Sequence, residues 1–131
     1  MNTIPLVNNA AKLISVFGEW PSFHDAEVLK LELERRPPSL TLTVLIRRNI
    51  REEPADKSYF KVTGSWVVTL RFQRIDDVVL ENFNHQNVIT EIVIKARAPQ
   101  GLEVLIEPIL GFYGKFVCES AEVIEIESVP A

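Results

Sequence analysis

The chain has 131 residues, 47% of them hydrophobic and 24% charged, with a formal net charge of −4. That length fits one domain over residues 1–131 with a core of its own, and the composition excludes a disordered or fibrous chain. The negative charge argues against generic phosphate-backbone binding, and no apolar run reaches the roughly 18 residues a membrane span needs.

Met1-Asn2-Thr3-Ile4-Pro5-Leu6 lacks the basic patch and cleavage site of a secretory signal. A single cysteine, Cys118, leaves no internal disulfide and fits a reducing cytoplasm. Residues 8–18 read as a short helix. Asn8 or Asn9 supplies its cap, and Ala10, Leu13, Ile14 and Phe17 recur at helical spacing. Gly18 stands where a left-handed residue ends a helix.

After Trp20-Pro21 the period changes to two. Leu29, Leu31 and Leu33 share one face of a first strand, and Lys30, Glu32 and Glu34 the other. Pro37-Pro38-Ser39 interrupts it, because proline has no ladder N–H. Leu40, Leu42, Val44 and Ile46 mark a second strand, forming an antiparallel hairpin with the first. The charge-dense stretch 47–61 reads as a connection, long enough to be mobile or functional rather than structural. Trp66, Val68, Leu70 and Phe72 make a third inward face, opposed by Val67, Thr69, Arg71 and Gln73. Residues 75–83 hold a short strand or turn. In 88–97, Ile92, Ile94 and Ala96 face inward and Glu91, Lys95 and Arg97 outward. Pro99-Gln100-Gly101 turns into a strand over Leu102–Leu110, Gly111 and Gly114 frame Phe112-Tyr113, and the last strands fill Phe116–Val129, split near Ser120-Ala121. The fold class is therefore mainly β (α+β), with six to eight antiparallel strands and one N-terminal helix. One helix cannot cover that much sheet, so the sheet is expected to curl, or to form a sandwich or partial barrel.

Charge is unevenly placed along the chain. Residues 98–131 carry Glu103, Glu107, Glu119, Glu122, Glu125 and Glu127 against one base, Lys115. Such a surface suits a basic protein partner, with Glu119, Glu122, Glu125 and Glu127 the candidate contacts. The plain alternative is that Glu simply fills solvated strand positions.

His24, Asp25 and Glu27 carry the side chains that bind metals and move protons. A zinc site wants three or four ligands, however, and the remaining candidates, His85 and Cys118, stand alone in the sequence. HExxH and CxxC are absent. In an extended segment His24 and Asp25 also point to opposite faces. The preferred reading is structural: Asp25 closes the turn into the strand through backbone N–H groups, and no cofactor or metal is expected. Trp20 and Phe23 are expected to anchor the helix-to-sheet junction. Phe83-Asn84-His85-Gln86-Asn87 reads as a turn, and Cys118 as an inert buried thiol. Neither a serine nucleophile elbow nor a phosphate-cradling loop is present.

Three stretches, in order and spacing, resemble the Immunity protein 50 family. They are Trp20-Pro21-Ser22-Phe23-His24-Asp25-Ala26-Glu27-Val28, Val68-Thr69-Leu70-Arg71-Phe72 followed by Asp77 and Leu80, and Phe83-Asn84-His85-Gln86-Asn87-Val88-Ile89. The likeness runs from about Trp20 to Phe116, and Phe-His-Asp-Ala-Glu is its most specific part. It implies a small bacterial, non-enzymatic, cytoplasmic protein that neutralises a cognate toxin of a contact-dependent or polymorphic toxin system. The family has no agreed site, so no catalytic residue carries over; Trp20, Phe23, His24, Asp25 and Glu27 only mark the signature block. The expected partner is a protein toxin, a basic nuclease on the charge argument, rather than nucleic acid or membrane. Two alternatives stand beside it. One is a small metal-dependent enzyme or ligand-binding protein built on His24, Asp25 and Glu27; the other is a homodimer formed through an exposed sheet edge.

Overall fold

The computed structural model describes residues 6–52 and 60–130, with the side chains of 6–48 and 64–130. In chain order the elements are β1 (Val7–Asn8), α1 (Ala11–Phe17), β2 (Glu27–Arg35), β3 (Pro38–Glu52), β4 (Phe60–Gln73), β5 (Asp76–Glu81), β6 (Val88–Ala96), β7 (Leu102–Leu110), β8 (Tyr113–Cys118) and β9 (Ser120–Val129). Among the described residues nine strands form one open sheet, ordered β1-β9-β4-β3-β2-β6-β7-β8-β5. The count exceeds the expected six to eight partly because two-residue β1 is too short to alternate. It pairs parallel with β9 (Val7↔Ala121), so the sheet is mixed rather than wholly antiparallel.

The helix differs from expectation at its start. Ala10 occupies the cap position without a side-chain acceptor. Asn8 belongs to β1, while Asn9 turns through φ 62° and donates its amide to Glu122 Oε2 at 3.1 Å. The end is as read: Gly18 takes φ 84° and its N–H reaches the Ile14 carbonyl. Leu13 is fully buried, and Phe17 meets Trp66 edge-on with ring centroids 5.1 Å apart.

β3 and β4 form an unbroken antiparallel ladder from Ser39↔Gln73 to Glu52↔Phe60. The stretch 47–61, read as a connection, is therefore paired strand at both ends; what remains, 53–59, lies outside the described residues. Leu40, Leu42 and Val44 of β3 pack with Val68, Leu70 and Phe72 of β4, Val104 and Ile106 of β7, and Phe116 of β8. Phe72 and Phe116 meet at 5.1 Å although their strands are far apart in sheet order, so the sheet curls over this core.

Two face assignments need correction. Ala96 is exposed at the end of β6. Leu29 does not share the face of Leu31 and Leu33: the register shift between Val28 and Lys30 puts it in a β-bulge, 47% exposed, and Val28 takes the inward place. Leu31 and Leu33 do pair with Leu42 and Leu40, yet Leu33 is 56% exposed. Alternation assigns side chains to faces; it does not say whether anything covers the face.

Candidate functional site

The sheet is joined in its middle by very little. β2 meets β6 in one bridge, Glu27↔Val88, and the segment before β2 supplies the rest. Asp25 N–H donates to the Ile89 carbonyl at 3.0 Å, Ile89 N–H to Ala26 at 2.9 Å, and Val28 N–H to Asn87 at 2.8 Å. Phe23 and Asp25 reach these positions with φ of 66° and 65°, a left-handed conformation unusual for an aromatic residue. Ala26 N–H closes the turn on the Phe23 carbonyl at 3.0 Å. Phe23 is buried and packs edge-on against half-buried Trp20 at 5.9 Å, so this pair anchors the junction as expected.

The same turn overturns the opposite-face argument for His24 and Asp25. The segment is not extended, and His24 Nε2 comes to 3.7 Å from Asp25 Oδ2. Both side chains are largely exposed, where such a pair contributes about 0–1 kcal/mol. Asp25 does not close the turn through its carboxylate. That role falls to Ser22, whose Oγ accepts the His24 N–H at 3.2 Å. His24 Nδ1 lies 3.3 Å from the Thr90 carbonyl oxygen.

His24 and Trp20 line a cleft of about 320 Å³ with Glu19, Arg48 and Glu91; Asp25 and Glu27 are not in its wall. Arg48 stacks 5.3 Å from the Phe17 ring centroid and lies 3.9 Å from Glu19. Among the described residues no three His, Cys, Asp or Glu side chains gather closely enough to hold a metal ion.

The loop after β5 locks the other side of the join. Asn87 is buried; its Oδ1 accepts the Asn84 N–H at 2.9 Å, and its Nδ2 donates to the Asn84 carbonyl at 2.6 Å. Asn84 Oδ1 in turn accepts the Gln86 N–H. These amides build a turn, as the sequence reading expects. Gly111 passes beside them with φ 81°, and a Cβ there would lie 2.5 Å from the Gln86 carbonyl. Cys118 is buried at the other end of the molecule, and burial pushes its thiol up to about 11, which suits an inert thiol.

The carboxylates of the C-terminal third divide. Glu119, between β8 and β9, already faces Arg74 at 3.6 Å. On β9, Glu122, Glu125 and Glu127 stand opposite Arg71, Thr69 and Val67, all on the face away from buried Val68 and Leu70. A spacing of three would put Glu122 and Glu125 on opposite faces of a regular strand. The irregularity at Ile124, between the pairs Thr69↔Glu125 and Leu70↔Val123, brings them onto one face. Nothing in the sequence marks that bulge. Among the described residues these three glutamates enter no salt bridge; Glu122 accepts the Asn9 amide.

The model of a protein family described as Immunity protein 50 matches residues 9–129. No curated protein and no solved structure matches.

Proposed function

The chain belongs to the Immunity protein 50 family, and on that premise we propose that it binds a cognate toxin and blocks it by surface complementarity in the bacterial cytoplasm. The contact surface in this reading is the outer face of β9. The observation that carries it is the bulge that aligns Glu122, Glu125 and Glu127 on the outer face of one strand, Glu125 and Glu127 exposed and Glu122 half-buried beside Asn9. A row of that kind complements a basic surface, such as the substrate groove of a nuclease toxin, and raises the rate of capture. Among the described residues no helix is long and apolar enough to cross a membrane.

The test is association kinetics with a candidate toxin domain, sought among the products of the genes neighbouring this one. Changing Glu122, Glu125 and Glu127 together to Lys should slow association about tenfold or more at low salt, with the gap closing as salt rises. Glu119→Lys alone should matter less, because Arg74 already faces that carboxylate. Equal association rates for the triple variant and the parent at low salt would remove β9 as the contact surface.

A further inference from the structure

Beyond Glu27, β2 carries on to Arg35 with β3 along one side, and among the described residues no strand pairs with its other side. That edge is well exposed: Leu29, Lys30, Glu32, Leu33 and Glu34 are all open to solvent, with Leu31 half-buried. An unpaired edge offers a row of N–H and C=O groups to another strand. Lys30 and Glu32 lie on one face, 3.7 Å apart, with side chains 62% and 52% exposed.

We propose that this edge pairs with the same edge of a second copy, antiparallel about a two-fold axis through Leu31. The regular register of β2 starts at Lys30, and Lys30-Leu31-Glu32 is self-complementary about Leu31. Lys30 then faces Glu32 of the second copy and Glu32 faces its Lys30, while Leu29 stands outside this register, in the bulge between Val28 and Lys30. Backbone groups alternate in direction along a strand, so a symmetric antiparallel pair must be centred on a residue, not between two residues. Centring on Lys30 or Glu32 sets like charges against each other on the axis. Centring on Leu31 sets opposite charges together twice, and like charges directly opposed are unfavourable in a sheet. Leu31, half-buried within one chain, meets its own copy across the axis and gains cover in the pair. Isologous contact of this kind closes at two copies and does not propagate.

Sedimentation of the purified full chain tests the register. All positions changed are solvent-exposed, so the variants should fold. The parent should form dimers, and Lys30→Glu or Glu32→Lys alone should weaken them on the order of tenfold. The double exchange Lys30→Glu/Glu32→Lys recreates both opposite-charge pairs and should restore the parental constant. A parent that stays monomeric up to about 500 μM, near the weak end of specific association, overturns the proposal and leaves the edge to a strand of another protein. So does a dimer with the same constant in all four proteins, or a double variant no tighter than the single ones.

Discussion

The join between β2 and β6 and the ladder between β3 and β4 hold the same sheet together by different means. From Ser39↔Gln73 to Glu52↔Phe60 an unbroken run of backbone pairs sets the geometry, backed by core packing of Leu40, Leu42 and Val44 with Val68, Leu70 and Phe72. At the join one bridge remains. There the chain relies on buried Phe23, on two residues held in the left-handed region, and on the buried amide of Asn87. Strain of that kind persists only where surrounding contacts over-determine it. The Trp20–Glu27 and Phe83–Ile89 blocks are distinctive because they do structural work that a longer ladder would have spread over many residues.

The largest expected effect follows from Phe23. Truncation to Ala removes a buried ring from the join while leaving the left-handed turn, and should cost about 3–5 kcal/mol in urea unfolding. Hydrogen exchange locates the loss. The amides of Asp25, Val28 and Ile89, which cross the join, should open well before those of β3 and β4. Simultaneous opening of both sets would mean the two regions form one cooperative unit and the contrast drawn above is false.

A smaller effect is expected at Asn87. Asn87→Ala strands the Asn84 N–H and carbonyl, both served by that side chain, and should cost about 1–3 kcal/mol. Thermal unfolding beside Asn84→Ala separates the buried amide from its more exposed neighbour. A loss at Asn84 as large as that at Asn87 would show that the turn, not the buried amide, secures the join.

The strands were legible where burial is one-sided. Val68, Leu70 and Phe72 face the core as their alternation says, and so do Ile92 and Ile94. What escaped was set by partners distant in sequence. Residue β-propensity and period describe Leu31 and Leu33 equally well as core or as an uncovered edge; the divergence of β6 from β2 decides, and a bulge takes Leu29 out of their alternation. The same holds for the bulge at Ile124 and for the parallel pairing of β1, since both depend on a neighbour strand. At the junction the residue types pointed to chemistry and anchoring alike. The positive φ at Phe23 and Asp25 altered which side chains meet, and no residue type announces it.

The smallest effect belongs to His24, where the signature block is polar and exposed. His24→Ala removes a 3.7 Å contact to Asp25 between two solvated side chains, so its cost should stay below about 1 kcal/mol. A greater loss would place the strength of the join in that ion pair instead of in Phe23 and Asn87. Metal analysis of the same variant separates two further roles. His24 sits in the wall of the cleft with Glu19 and Glu91, whereas Asp25 and Glu27 do not, and among the described residues no three such side chains come close enough to hold zinc. Stoichiometric zinc, manganese or iron in the parent, lost in His24→Ala, would require neighbouring carboxylates to close on His24. It would move the function from the face of β9 to the junction itself.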